Sequence, residues 1–252
     1  MSTVETEVRE GVAWVALNRP EKLNAIDGSV LDGLLAAVAR VRDDAAIGAA
    51  VLHGRGRAFS AGGDITAMAA MDEPAFAATI ARYMEVAAAF RGCPKPIVAA
   101  VHGHALAGGF ELALLCDVRV AADDAVFGLP DTPLGLSPTS GMTYLLPRIV
   151  GLGRALDLAL LAQNVDAHEA ERIGLVTRVV APERLLEEAG RCAARIAGFP
   201  RLGVARTKER LVGALDATFA EATAAEAAAE VECFRDPEVV ANLRGFAERR
   251  RR

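Results

Sequence analysis

The chain lacks the residue patterns that mark several common protein classes. Its four cysteines, Cys93, Cys116, Cys192 and Cys233, are widely spaced and form no C-x-x-C pair, so we expect reduced core thiols rather than a disulfide framework. The sequence shows no cluster of metal-ligating residues, and no metal site is expected. It also has no G-x-x-x-x-G-K-S/T motif, which leaves a nucleoside triphosphatase without support.

An excess of positive charge is also absent. The formal net charge is −5, and the only basic cluster is Arg249 to Arg252, which is predicted to be a frayed, solvated tail. Nucleic acid is therefore not an expected partner. The first residues, MSTVETEVREG, are polar and acidic and lack the apolar segment of a signal peptide. These features predict a cytoplasmic protein.

One stretch, Pro96 to Cys116, is apolar over about the length that a bilayer requires. It contains three glycines together with His102, His104 and Glu111, which would be costly in lipid. We therefore expect a strand and a helix buried in a soluble core, and no membrane span.

Hydrophobic periodicity predicts an α/β fold. Thr3 to Arg9 and Val12 to Leu17 alternate as strands around a turn at Glu10 and Gly11, which indicates a hairpin. Strand and helix patterns then alternate as far as the middle of the chain, an order typical of parallel strands joined by helical crossovers. The last third is mostly helical. We therefore predict an α/β core over residues 1–195 and a helical region over residues 196–252.

The stretch from Pro96 to Asp131 carries the residues that point to chemistry. Gly108 and Gly109 stand where a helix is expected to begin, and because glycine costs a helix interior about 1 kcal/mol relative to alanine, the pair indicates close approach of another group. Unpaired N–H groups at a helix start suit a developing negative charge, and Glu111 follows within one turn. The alternatives are glycines kept for helix packing and a glutamate that only caps the helix.

A second glycine-containing loop supplies a matching half-site. Phe59 to Asp64, FSAGGD, offers backbone N–H groups from a turn of small residues after a strand. Two N–H donors from separate loops are what an oxyanion hole for a thioester carbonyl requires. The two loops together predict a site that stabilises an enolate.

With these two loops, the sequence resembles the enoyl-CoA hydratase/isomerase family, also called the crotonase family, over nearly its whole length. The resemblance rests on FSAGGD and ALAGGFE and extends to NRPEKLNAI, FGLPD, LGLSP, LLPRIVG and the A-x-E-A-x-x-x-G-L-V pattern of Ala167 to Val176. It implies a ββα spiral core with C-terminal helices that build homotrimers, often stacked as hexamers. It also implies an acyl-CoA thioester as substrate and no separate cofactor, because CoA is part of that substrate.

The resemblance also implies roles for individual residues. The N–H groups of Ala61 and Gly108 are expected to bind the thioester oxygen, and Glu111 and Asp131 are expected to be the catalytic acids. The residues expected to contact the substrate or its CoA moiety are Lys22, Leu23, Ala25, Gly62, Gly63, Asp64, Ile65, Pro130 and Leu134.

Asp131 departs from the pattern of a hydratase, which usually has glutamate at both acid positions. Aspartate is one methylene shorter, so a water held between the two acids would shift by about 1 Å. The leading prediction is hydration of 2-enoyl-CoA thioesters through an enolate, and the alternative is double-bond isomerisation with Asp131 as the base. An aspartate that only caps the turn before Pro133 is the structural alternative.

Two other functions have less support. A non-catalytic protein of the same fold that binds acyl-CoA, protein or RNA is the alternative of another class, but both acids and the small residues of both loops are present. Gly135, Leu136 and Ser137 begin like the nucleophile elbow of a serine hydrolase, yet Pro138 has no N–H to offer an oxyanion. A serine hydrolase is therefore not expected.

Overall fold

The computed structural model describes residues 2–249 of the chain. The strands are β1 (Val4–Arg9), β2 (Val12–Leu17), β3 (Ala49–Gly54), β4 (Ile97–Val101), β5 (His104–Leu106), β6 (Val118–Ala122), β7 (Val126–Gly128), β8 (Val165–Asp166) and β9 (Arg178–Val180). The α-helices are α1 (Gly28–Asp43), α2 (Ile65–Ala69), α3 (Glu73–Gly92), α4 (Gly108–Leu115), α5 (Met142–Val150), α6 (Leu152–Leu161), α7 (Ala167–Arg172), α8 (Leu185–Ala197), α9 (Arg201–Gly213), α10 (Phe219–Phe234) and α11 (Pro237–Arg249). The tail predicted from the basic cluster lies, apart from Arg249, outside the described residues, at 250–252.

The predicted N-terminal hairpin is confirmed. β1 and β2 pair antiparallel, with Arg9 opposite Val12. Glu10 and Gly11 lie between them with positive φ angles of 48° and 79°. Two-residue hairpin turns of this kind match the right-handed twist of the strands, which explains why the chain reverses at this dipeptide.

The main sheet has six strands in the order β1-β2-β3-β4-β6-β9. All strand pairs after the hairpin are parallel. Every residue of β4 is buried, because helices cover both faces of the sheet. Side chains of α1, α3 and α4 form the larger core on one face, whereas α8 packs through Leu185, Ala189 and Ala193 on the other. The predicted α/β fold class is therefore confirmed.

A second sheet of three short strands, in the order β5-β7-β8, leads the chain into the candidate site. β5 pairs parallel with β7, and Ala105 in β5 forms an isolated parallel bridge with Ser60. This bridge places the loop 59–64 beside the residues that enter α4. The sequence pattern predicts only a strand, a turn and a helix here and misses β5, which spans three residues.

The apolar stretch 96–116 is divided among β4, β5 and α4. None of the helices within residues 2–249 combines the length and the apolar composition needed to cross a bilayer. The helix within this apolar stretch, α4, has eight residues.

A largely buried ion pair joins the C-terminal helices to the sheet. Lys208 on α9 donates to Asp117 at 2.7 Å, and the same carboxylate oxygen accepts the backbone N–H of Ile97 at 2.7 Å. Because Ile97 is the first residue of β4, this carboxylate links α9 to the centre of the sheet. The predicted boundary after residue 195 falls inside α8, and the division into a core and a helical region stays a prediction.

Candidate active site

Helix α4 begins at the two glycines and carries Glu111 in its first turn. Ala107, which precedes the helix, has a positive φ of 45°, a conformation that costs free energy for a residue with a side chain. Its carbonyl accepts the Glu111 N–H at 2.9 Å. All residues from Gly108 to Leu114 are buried. The free N–H groups at this helix start are therefore enclosed by protein instead of facing bulk water.

Glu111 is buried, with 3% of its surface exposed. Thr139 donates to both oxygens of its carboxylate, from the backbone N–H to Oε1 at 2.5 Å and from the hydroxyl to Oε2 at 2.8 Å. Burial raises the pKa of Glu111, and the two hydrogen bonds from Thr139 oppose that shift. The carboxylate is thus held in one orientation, while its oxygens keep further lone pairs for a water or a substrate.

Asp131 is partly buried and precedes a short 3-10 turn, Thr132–Leu134. Its side chain makes no capping hydrogen bond to this turn, so the alternative that it is only a capping residue loses its support. Oδ2 is buried and has no hydrogen-bond partner within residues 2–249. Burial raises the pKa of Asp131. A buried polar atom without a partner costs free energy and is an exception that functional sites often carry.

A cavity of about 110 Å³ brings the two acids and the start of α4 together. The predicted site residues that line this catalytic cavity are Ala61, Gly63, Ile65, Gly108, Glu111, Pro130, Asp131 and Leu134. The predicted contact residues that do not line it are Lys22, Leu23, Ala25, Gly62 and Asp64. Both glycine-containing loops therefore face the same space as both acids.

Backbone hydrogen bonds distinguish Ala61 from Gly63. The Ala61 N–H donates to the Leu23 carbonyl at 2.9 Å, so it is not free for a substrate oxygen, and the predicted role of Ala61 as an oxyanion donor does not match the structure. Gly63 forms an isolated bridge with Ile26 that leaves its own N–H unused. In the described part of the chain, neither the Gly63 N–H nor the Gly108 N–H has a hydrogen-bond partner. These are the free donors of the two loops.

The predicted contact residues outside the cavity mostly hold the neighbouring loops together. Arg19 donates to the Ala25 carbonyl at 2.7 Å and forms an ion pair with Asp64 at 3.2 Å. Gly62 is buried, whereas Lys22 is exposed on a short 3-10 turn. The loops that carry Lys22 and Gly62 are thus one connected unit beside the cavity.

Several residues of the catalytic cavity are not predicted by the sequence analysis. They are Met68, Phe76, Ile80, Tyr83, Ala107, Leu136, Ser137 and Thr139. Phe76, Ile80 and Tyr83 recur at helical spacing on α3, so periodicity could have shown that they share a face. No local pattern indicates what that face contacts, or that Thr139 reaches Glu111.

Comparison with known proteins shows the family of the chain. The family model for enoyl-CoA hydratase/isomerase matches residues 7–252. A probable enoyl-CoA hydratase of Rhizobium meliloti is 44% identical over 220 residues, which cover 86% of this chain and 83% of the relative. A crotonyl-CoA hydratase of Syntrophomonas wolfei is 38% identical over 249 residues, with 97% and 95% of the two chains covered.

A solved structure shows the same similarity in three dimensions. The crystal structure of an enoyl-CoA hydratase from Bacillus anthracis matches with a TM-score of 0.95 at 30% sequence identity, covering 98% of this chain and 96% of that chain. The chain has the crotonase fold and belongs to the enoyl-CoA hydratase/isomerase family.

Proposed function

We propose that the protein adds water to the double bond of 2-enoyl-CoA thioesters. The observation that carries this proposal is the cavity in which two acids, the buried Glu111 and the partly buried Asp131, face the free N–H groups of Gly63 and Gly108. Hydration needs a base for the water, an acid for C2, and donors for the oxygen on which charge develops. The four groups correspond to these needs, and the names of the relatives support the same reaction.

Gly63 takes the role first predicted for Ala61. The N–H groups of Gly63 and Gly108 come from different loops and line one cavity, so both can donate to a single thioester oxygen. Negative charge moves to this oxygen as a hydroxyl group adds to C3. Donors that are already in place stabilise that charge without reorganisation.

In this mechanism Glu111 is the base and Asp131 is the acid. Glu111 accepts a proton from water while the oxygen of that water bonds to C3. Asp131, whose pKa is raised by burial, gives a proton to C2 of the enolate as the thioester carbonyl re-forms. Proton exchange with solvent then removes the proton from Glu111 and restores one to Asp131, so each turnover consumes one water and leaves both acids unchanged.

The remaining predicted contacts would guide the CoA moiety to the cavity. Ile65 and Leu134 line the cavity and are 52% and 58% exposed, so with Pro130 they suit the pantetheine chain. The exposed side chain of Lys22 suits the phosphates of CoA. The residues that would act by holding these loops in place are Leu23, Ala25, Gly62 and Asp64. No separate cofactor is needed, because CoA arrives with the substrate.

Double-bond isomerisation is the second candidate, and the hydrogen bonds of the two acids favour it. Both oxygens of Glu111 are engaged by Thr139, whereas Asp131 has a buried Oδ2 without a partner. An isomerase needs a single base that removes a proton from C2 of a 3-enoyl-CoA and returns it to C4 through the enolate. Asp131 could perform both steps, with the Gly63 and Gly108 N–H groups in the same role as before.

An ultraviolet assay separates these reactions. Crotonyl-CoA loses its conjugated-thioester absorbance on hydration, whereas 3-butenoyl-CoA gains that absorbance on isomerisation. We expect loss with crotonyl-CoA, and we expect Glu111→Gln to abolish it because no base remains for the water. A gain with 3-butenoyl-CoA that survives in Glu111→Gln would instead assign isomerisation to Asp131. A folded parent that neither converts nor binds acyl-CoA would belong to the non-catalytic class.

We also infer that the protein assembles as a homotrimer or as a hexamer of two trimers. Large apolar side chains are exposed on the C-terminal helices, among them Leu211, Phe219, Phe234 and Leu243. A subunit interface would remove this apolar surface from water. Light scattering on the native protein tests the inference, and the mass of a monomer would contradict it.

A further inference from the structure

Tyr83 places a phenol hydroxyl in the catalytic cavity. The residue lies on α3, is 7% exposed, and lines the cavity together with Glu111 and Asp131. Its hydroxyl donates to the Ile26 carbonyl at 3.4 Å, which is longer than the roughly 2.5–3.0 Å of a typical O–H···O bond. The hydroxyl thus has only a marginal partner in the protein and can turn to a substrate atom at little cost.

The hydroxyl also lies close to both free N–H donors. A β-carbon built on Gly63 would lie 3.4 Å from the Tyr83 hydroxyl oxygen, and one built on Gly108 would lie 3.5 Å from it. Ile26, the marginal partner of the hydroxyl, is also the residue that bridges Gly63. An oxygen atom held by the two glycine N–H groups would therefore be within reach of the phenol.

Tyr83 remains protonated near neutral pH. Burial raises its pKa above the usual value, and the nearby carboxylates of Glu111, Asp27 and Asp131 add to that shift. The available chemistry is therefore donation of a hydrogen bond, with the proton staying on the tyrosine oxygen.

We propose that the Tyr83 hydroxyl donates a third hydrogen bond to the thioester oxygen of the substrate. The proposal rests on the proposed function, and it applies to hydration and isomerisation alike because both pass through an enolate. A hydrogen bond to a charged oxygen is stronger than one to a neutral carbonyl. The contribution of Tyr83 is therefore larger in the transition state than in the bound substrate, so its loss lowers kcat more than it raises KM.

The chain offers a matched control for this proposal. It has two tyrosines, and Tyr83→Phe and Tyr144→Phe each remove one hydroxyl from a ring. The Tyr144 hydroxyl donates to Asp216, and Tyr144 does not line the catalytic cavity. We expect Tyr83→Phe to lower kcat for crotonyl-CoA about 10²-fold with little change in KM, the scale for loss of one oxyanion donor. Tyr144→Phe should stay close to the parent in both constants.

Acetoacetyl-CoA gives a second measurement that needs no turnover. Its enolate absorbs in the near ultraviolet and resembles the charged intermediate. A donor to the enolate oxygen favours the ionised form of the bound β-keto thioester. Tyr83→Phe should therefore require a higher pH than the parent or Tyr144→Phe to reach the same enolate absorbance.

Equal kcat and equal enolate titration in Tyr83→Phe and the parent would overturn the proposal. A defect confined to KM, or one accounted for by lost thermal stability, would overturn it as well. The two proposals can fail separately: a parent that hydrates crotonyl-CoA without dependence on Tyr83 removes only the role of Tyr83. An enolate titration that depends on Tyr83 in a parent without turnover removes only the proposed function.

Discussion

Gly108 and Gly109 are adjacent at the start of α4, yet one methyl group added to each should have different consequences. A β-carbon on Gly109 would lie 2.3 Å from the Ser60 carbonyl oxygen and 2.8 Å from Ser60 Cβ. Ser60 is fully buried, and its hydroxyl donates to the Asn24 carbonyl at 2.8 Å, so it cannot move aside without disturbing the loop 59–64. We expect Gly109→Ala to lower the free energy of unfolding by more than the ~1–3 kcal/mol usual for overpacking.

A β-carbon on Gly108 would meet side-chain atoms instead. The nearest are Tyr83 Cε1 at 3.2 Å and Ile26 Cδ1 at 3.5 Å, and side chains can shift by a few tenths of an ångström. We expect Gly108→Ala to cost at most ~1–3 kcal/mol of stability. The new methyl group nevertheless enters the catalytic cavity beside the N–H proposed to bind the thioester oxygen. Displacing that oxygen from one donor should lower turnover about 10²–10³-fold.

Denaturant unfolding and crotonyl-CoA turnover, measured on the same samples, check this pair of variants. Gly108→Ala should be folded and nearly inactive, whereas Gly109→Ala should be the less stable of the two. If Gly108→Ala keeps the turnover of the parent per folded molecule, Gly108 has no oxyanion role. That result would support the alternative that this glycine serves only helix packing. Parental stability in Gly109→Ala would refute the close packing of α4 on Ser60.

Four further substitutions test the acids. Asp131→Asn should lower turnover but keep or raise the melting temperature. The pKa of Asp131 is raised in the folded state, so its ionised form opposes folding as the pH rises through that pKa. A lower melting temperature in Asp131→Asn would contradict this. Asp131→Glu should raise hydration of crotonyl-CoA relative to isomerisation of 3-butenoyl-CoA. An unchanged ratio would contradict the argument that the shorter aspartate displaces the water held between the two acids. Thr139→Ala removes a hydrogen bond that lowers the pKa of Glu111, so the acid limb of kcat/KM should move to higher pH and Thr139→Ser should restore it. Identical pH profiles in Thr139→Ala and the parent would exclude Thr139 as a positioning residue for Glu111.

Local patterns in the sequence predict the parts of the fold and site that depend on neighbouring residues. The hairpin follows from two alternating runs around Glu10 and Gly11, whose positive φ angles suit the turn. The double glycine at 108–109 predicts a helix start with close neighbours, and the structure places a buried carbonyl against Gly109. The short strands β5, β7 and β8 are missed because two or three residues cannot show a period of two.

The choice between Ala61 and Gly63 depends on distant residues and so could not be read from the FSAGGD loop alone. The Leu23 carbonyl occupies the Ala61 N–H, while the bridge to Ile26 leaves the Gly63 N–H free. Both pairings join segments that are far apart in the sequence. The hydrogen bonds from Thr139 to Glu111 also cannot be predicted from local sequence. They form only when α4 and the loop after Asp131 come together.

Mass spectrometry of the product formed in oxygen-labelled water tests the central claim most directly. The account predicts that crotonyl-CoA becomes a 3-hydroxyacyl-CoA heavier by one molecule of water and carrying the labelled oxygen. Glu111→Gln, tested in parallel as a folded protein, should leave the crotonyl-CoA unchanged. A parent enzyme that returns crotonyl-CoA unaltered, or converts it only to an isomer of the same mass, would contradict hydration as the function of this site.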